Sequence, residues 1–264
     1  MRNMNIDQNG GFINISNIPF DLDDGIGARA RIGLIVLASD HTIEHEFREI
    51  VTMTDVAFYE SRIPNSPKIT PETLRSMGRD IYDCAAVILP GVEFDVIAYG
   101  CTSASIVLGE EQVFEKLQAA RPEAIPTTPI TAAFAAFDAL NIKRLGVLTP
   151  YRNDINVIMK NYIEKKGFQV PVFGSFNEEN DNRAARITTD SIRRAVLKLG
   201  AYDEVDGVFI SCTSLRLANI VQAIEEELGK PVTSSNHAII WHSLRLAGIK
   251  DQINDYGALY RLAL

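Results

Sequence analysis

Phe94-Asp-Val-Ile-Ala-Tyr-Gly-Cys-Thr-Ser103 and Val205-Asp-Gly-Val-Phe-Ile-Ser-Cys-Thr-Ser214 follow one pattern: a short apolar run, a small residue, then Cys-Thr-Ser. Each apolar run reads as a strand buried on both faces. Working outward, Arg31-Ile-Gly-Leu-Ile-Val-Leu37 and Lys143-Arg-Leu-Gly-Val-Leu-Thr149 are a second matched pair of strands. Gly33 to Cys101 spans 68 residues and Gly146 to Cys212 spans 66. Downstream of each cysteine come a helix (110–120; 219–228), a proline-containing β-like segment (Ile125-Pro-Thr-Thr128; Lys230-Pro-Val-Thr233) and a long apolar helix (130–140; 238–247). The order is an internal duplication. The expected fold class is α/β, two pseudo-symmetric halves, each a mostly parallel sheet flanked by helices, with the active site between them.

Other elements fill in the halves. Ser39-Asp-His-Thr42 opens a helix, with Ser39, Asp40 or Thr42 as its cap. The segment 50–62 carries a strand, and Thr70-Pro71 starts a helix expected to run to about Leu89. Helices are expected over 154–166, ended by Gly167, and over 188–199, followed by Gly200. A strand is expected over 168–173. Residues 1–28 read as a flexible arm, 29–128 as the first half and 129–237 as the second, with 238–264 able to pack back on the first.

The chain has 264 residues, 46% hydrophobic and 23% charged, with net charge -8 from 26 basic and 34 acidic residues. That size supports a sizeable core. Without clustered Lys and Arg there is no general attraction to nucleic acid. No apolar run is long enough for a membrane span, and Met1–Asp24 does not read as a secretory signal, so the cytoplasm is the expected compartment. The three cysteines, Cys84, Cys101 and Cys212, have neither disulfide-framework nor zinc spacing; Cys84 reads as core.

A cysteine between a buried strand and a helix sits where unpaired N–H groups and the helix dipole favour thiolate. Thr102, Ser103, Thr213 and Ser214 offer hydrogen bonds to a thiolate or a substrate carboxylate. Two such thiols on opposite sides of one carbon suit proton exchange next to a carboxylate, or addition to an alkene with proton delivery. Neither reaction requires a metal or an organic cofactor, and none is expected.

At these residues the chain resembles the aspartate/glutamate racemase superfamily, in its maleate isomerase and arylmalonate decarboxylase branch, including the ectoine-utilisation protein A group. The likeness also rests on Leu148-Thr-Pro-Tyr151, Asp181-Asn-Arg-Ala-Ala-Arg-Ile187, Pro231-Val-Thr-Ser-Ser-Asn236 and Trp241, and covers about 29–249. It implies chemistry on small carboxylates, with Cys101 as nucleophile and Cys212 handling the proton in the maleate isomerase case. It further implies substrate contacts from Tyr151 and from Asn182, the latter within one or two positions. Arylmalonate decarboxylases keep only the second cysteine, so the presence of both argues against plain decarboxylation.

One position departs from the maleate isomerase pattern. Asp40 stands where those enzymes carry a carboxylate-binding asparagine, and an ionised aspartate repels a carboxylate and attracts an ammonium group. The substrate expected is therefore a small carboxylate or amino acid, such as one from ectoine breakdown. Racemisation or epimerisation is as strong a reading as alkene isomerisation. His41, Arg152 and His237 are further site candidates. His41 with His45 lacks a third metal ligand, His242 reads as packing or surface, and Arg216 as facing solvent or a subunit contact. A homo-oligomer, dimer or tetramer, is expected. The rival classes are a two-lobed small-molecule binding protein and a thiol redox protein. The first has no need of matched cysteines, and the second favours a much shorter cysteine spacing.

Overall fold

The computed structural model describes residues 17–264, together with the backbone of Ile6–Asp7 and Asn14–Ile15, which pair antiparallel. The arm expected over 1–28 therefore lies partly outside the described residues; 17–26 form no helix or strand and are exposed.

The first sheet contains β1 (Ala30–Leu37), β2 (Val56–Ile63), β3 (Val96–Gly100) and β4 (Ile125–Thr127), all parallel, in the order β2-β1-β3-β4. The second contains β5 (Arg144–Thr149), β6 (Gln169–Ser175), β7 (Gly207–Ile210) and β8 (Val232–Ser234), also parallel, in the equivalent order β6-β5-β7-β8. The central strands are the four apolar runs. Pro126 and Pro171, which lack an N–H for the ladder, fall in edge strands, where the missing donor is tolerated. The acid opening each cysteine pattern acts alike in both lobes. Asp95 accepts the Arg31 N–H at 2.8 Å and Asp206 the Arg144 N–H at 2.9 Å, tying the start of each central strand to its neighbour.

In each sheet the chain leaves the two central strands in opposite directions, which opens a crevice at their carboxyl ends where ligands bind in such folds. Asp40 and Cys101 follow β1 and β3; Pro150-Tyr151 and Ser211-Cys212 follow β5 and β7. The lobes meet through matched helices. α6 (Pro129–Ala139) is capped by Thr128 and α11 (Ser235–Leu246) by Ser234, and the two pack on each other. α11 is buried from Ser235 to Arg245 and also lies against β3. Both apolar helices thus form inter-lobe core, with Trp241 fully enclosed.

Two local expectations need correction. The helix expected from Thr70 to Leu89 is broken into α2 (Pro71–Ser76), a 3-10 turn at Met77–Arg79 and α3 (Ile81–Ala86). Gly78 marks the break; a Cβ there would lie 2.9 Å from Leu108, so a side chain would be crowded where the turn packs on the next helix. Secondly, only one cysteine sits at a helix start. Cys101 is the N-cap of α4 (Thr102–Leu108), whereas Cys212 enters a turn, and α10 (Val221–Leu228) begins nine residues on.

Candidate active site

Both cysteines line one cavity in the inter-lobe crevice, Cys101 at 3% exposure and Cys212 at 4%. Gly100 permits the approach of β3 to β1, because a Cβ there would lie 2.9 Å from the Ile35 carbonyl. The Ser103 hydroxyl is 3.9 Å from the Cys101 thiol, and the Ser214 N–H donates to Cys212 Sγ at 3.4 Å. Tyr151, also buried, lines the same cavity. Its N–H donates to Thr149 Oγ1 at 3.2 Å, and its carbonyl accepts from Asn156 Nδ2 at 2.9 Å. Burial pushes its phenol well above the ordinary range, and the neighbouring Cys212 adds to that push.

Burial works against the thiol activation expected from the helix terminus. Burial pushes the Cys101 thiol up to about 12, against the opposing effects of the Ala104 N–H and the Ser103 hydroxyl. Burial pushes Cys212 up as well, and Asp181 adds to it. Desolvation outweighs the hydrogen bonds offered to the Cys101 thiol. The cavity is about 20 Å³, room for about one water. Asn65, Ser66, Lys68 and Ile69 form part of its lining, and this segment is tied across the cleft where Asp181 N–H donates to the Pro67 carbonyl at 3.0 Å and Ile69 N–H to that of Glu179 at 3.3 Å.

Of the residues singled out in the sequence, Cys101, Thr102, Ser103, Tyr151, Cys212 and Thr213 line the cavity. Thr102 Oγ1 is committed to Ser235 Oγ at 2.7 Å and Ser214 Oγ to Asp181 at 2.6 Å, so those two hydroxyls brace the site. Asp40 is buried beside Thr213; its Oδ1 accepts the Thr42 and Ile43 N–H groups at 2.7 and 2.9 Å, capping α1 (Ile43–Ile50), while its Oδ2 has no hydrogen-bond partner. Burial raises its carboxyl to about 6 against those two N–H groups.

Asn182 is exposed and bonded to His41 Nε2 at 2.8 Å, so neither reaches the cavity. Its neighbour Asp181 lines the cavity instead. Arg152 is exposed and paired with Glu179 at 3.0 Å. His237 is buried away from the thiols, between Thr233 Oγ1 at 3.0 Å and the Tyr256 carbonyl at 2.8 Å. His45 pairs with Glu49, His242 bonds Thr127, and Arg216 donates to the Ile187 carbonyl. Cys84 is half-buried against the core. Among the described residues no group of three His, Cys, Asp or Glu side chains is placed to hold a metal ion, and no helix is long and apolar enough to cross a membrane.

Glu46 escaped the sequence reading. From α1 in the first lobe it accepts the N–H groups of Leu217 and Ala218, both at 2.7 Å, and Asn236 Nδ2 at 2.8 Å. It ties down the loop after Cys212, and nothing in Ile43-Glu-His-Glu46 distinguishes it from a surface acid. Glu46→Ala leaves the buried Leu217 and Ala218 N–H groups unpaired and takes from Asn236 Nδ2 one of its two acceptors, the other being the Thr213 carbonyl; a loss of about 2 kcal/mol in urea unfolding is expected, after allowing for the cost of burying the carboxylate itself. An unchanged midpoint would contradict that role.

Two lobes of one topology, each delivering a cysteine from an equivalent strand end into a shared cavity, define a two-lobed α/β enzyme of the paired-cysteine class. The sequence model of arylmalonate decarboxylase matches residues 32–260, and the chain belongs to that family. It is 27% identical over 243 residues to a maleate isomerase from Pseudomonas putida, covering 87% of this chain and 96% of that one. It is 28% identical over 123 residues to arylmalonate decarboxylase from Bordetella bronchiseptica, covering 46% and 51%. The structure of Nocardia farcinica maleate cis-trans isomerase superposes with a TM-score of 0.81 at 25% identity, covering 88% of this chain and 98% of that one.

Proposed function

We propose that this chain is a cofactor-independent isomerase that moves a proton at a carbon next to a carboxylate, in a small amino acid, by racemisation or epimerisation. The supporting observation is the pair of cysteines, one from each lobe, in a single cavity. One thiolate takes the proton from one face of the carbon. The electron pair delocalises into the carboxylate, where the Tyr151 phenol and the Ser103 and Thr213 hydroxyls are within the lining to donate to it. The opposite thiol delivers its proton to the other face, so the two sulfurs exchange protonation states and the reaction balances. Asp40, ionised above about pH 6, favours a substrate with a nitrogen cation. An amino acid from ectoine breakdown is one candidate, on the likeness of Ser39-Asp-His-Thr42 alone.

Cis-trans isomerisation of maleate is the second reading, favoured by the relatives bearing that name. It would use Cys101 as the nucleophile. Proton NMR in heavy water separates the readings: racemisation replaces the α-proton of an amino acid by deuterium and inverts its configuration, whereas maleate turnover yields fumarate. Neither outcome across a panel of small acids and amino acids would leave a binding protein.

A further inference from the structure

We propose that Asp181 and Asp40, one carboxylate from each lobe, form a single cation subsite that holds the substrate's ammonium group between them. The proposal rests on the reading above only for where the substrate lies.

Asp181 opens α8 (Asp181–Ala184), lines the cysteine cavity and is 3% exposed; Asp40 follows β1 and is 4% exposed. Asp40 does not itself line the cavity but lies beside Thr213, which does, close enough to Asp181 and to both thiols for its charge to be felt by each. Asp181 is set in place by the hydroxyls of Ser39, beside Asp40, and of Ser214, beside Thr213. Its orientation is therefore fixed from both lobes. Asp40 spends one oxygen on the α1 cap and leaves the other buried without a hydrogen bond of normal geometry; the Thr213 hydroxyl lies near enough to act on the carboxyl as a donor. A buried carboxylate oxygen without a partner needs an explanation, and a bound donor supplies it.

Among the described residues no buried cation lines the cavity. Lys68 is the sole cationic residue lining the cavity, and it is exposed at the rim. The Arg62 guanidinium is nearby, but its donors go to the backbone carbonyls of Leu37 and Asp40 and to Glu44. An ammonium carries three donors, enough to bond Asp40 Oδ2 and Asp181 together. It would also bring beside the thiols the positive charge that thiolate formation needs. A dicarboxylate such as maleate would instead meet two like charges.

The test is calorimetric binding to the full chain with both Cys101 and Cys212 replaced by serine, so that binding is read without turnover. The panel is alanine, 2-aminobutyrate, aspartate and 2,4-diaminobutyrate against lactate, 2-hydroxybutyrate and maleate. The best amino acid is expected to bind at least about 100-fold more tightly than any ammonium-free acid. Asp181→Asn and Asp40→Asn should each cut that ratio about 10-fold or more, and the two together should remove it. No preference in the parent, or a ratio unmoved by both substitutions, overturns the subsite. If the preference holds but no α-proton exchange occurs in the wild type, the isomerase reading fails and the subsite stands. Exchange confined to an ammonium-free acid does the reverse.

Discussion

Cys101→Ala and Cys212→Ala are each expected to lower racemisation by about 10³-fold or more, while each keeps proton exchange on one enantiomer only, opposite in the two variants. The thiols serve opposite faces of one carbon, so removing one leaves the other able to take and return the proton it faces. Inversion needs both; exchange with solvent needs one. The measurement is deuterium incorporation into separate L and D substrates, with chiral chromatography for inversion. Nucleophilic addition at Cys101 predicts another pattern, in which Cys101→Ala is inert toward both enantiomers. Retention of racemisation by both single variants would sink the two-cysteine mechanism altogether.

The second large effect is on stability. Asp40→Asn should stabilise the ligand-free protein by about 3 kcal/mol at pH 7 to 8. The Asp40 carboxyl lies at about 6 when folded, above its model-peptide value of 3.8, because burial disfavours its charge. A raised acid binds its proton more tightly in the folded state. Its favourable contribution is thus complete below about pH 4 and is lost as the pH rises through 6. Asparagine keeps the oxygen that caps α1 and removes the charge. The gain should therefore shrink steadily between pH 6 and pH 4, as read by urea unfolding of both proteins. A loss of stability at pH 8, or a difference independent of pH, would mean that Asp40 is compensated by something nearby. If the gain coincides with loss of amino-acid binding, the charge is kept for function at the expense of the fold.

The architecture was legible because it depends on local pattern. Four apolar runs too short for buried helices, a repeated order of elements and the Cys-Thr-Ser triplets at matched places led to two parallel-sheet lobes with the cysteines at strand ends. The break at Met77–Arg79 was not legible, because one glycine inside a helical pattern does not by itself mark a turn, and Leu108, the neighbour that crowds Gly78, lies thirty residues away in the chain. Nor was Glu46, whose partners lie some 170 and 190 residues further along.

Asp181 and Asn182 are the most instructive case. The likeness pointed to this segment within one or two positions, and the cavity lining contains the aspartate rather than the asparagine. Successive residues of a helix point about 100° apart, so once Asp181 faces the thiols, Asn182 turns out to His41 and solvent. The thiol state shows the same division. The sequence by itself determined the lobes, their equivalence and the two sulfurs, since these follow from hydrophobic period and from which residue ends each strand. Only the tertiary structure decided which carboxylate enters the crevice and that burial dominates the thiols. Side-chain direction and desolvation arise from neighbours brought together out of both lobes, and no stretch of either lobe contains them alone.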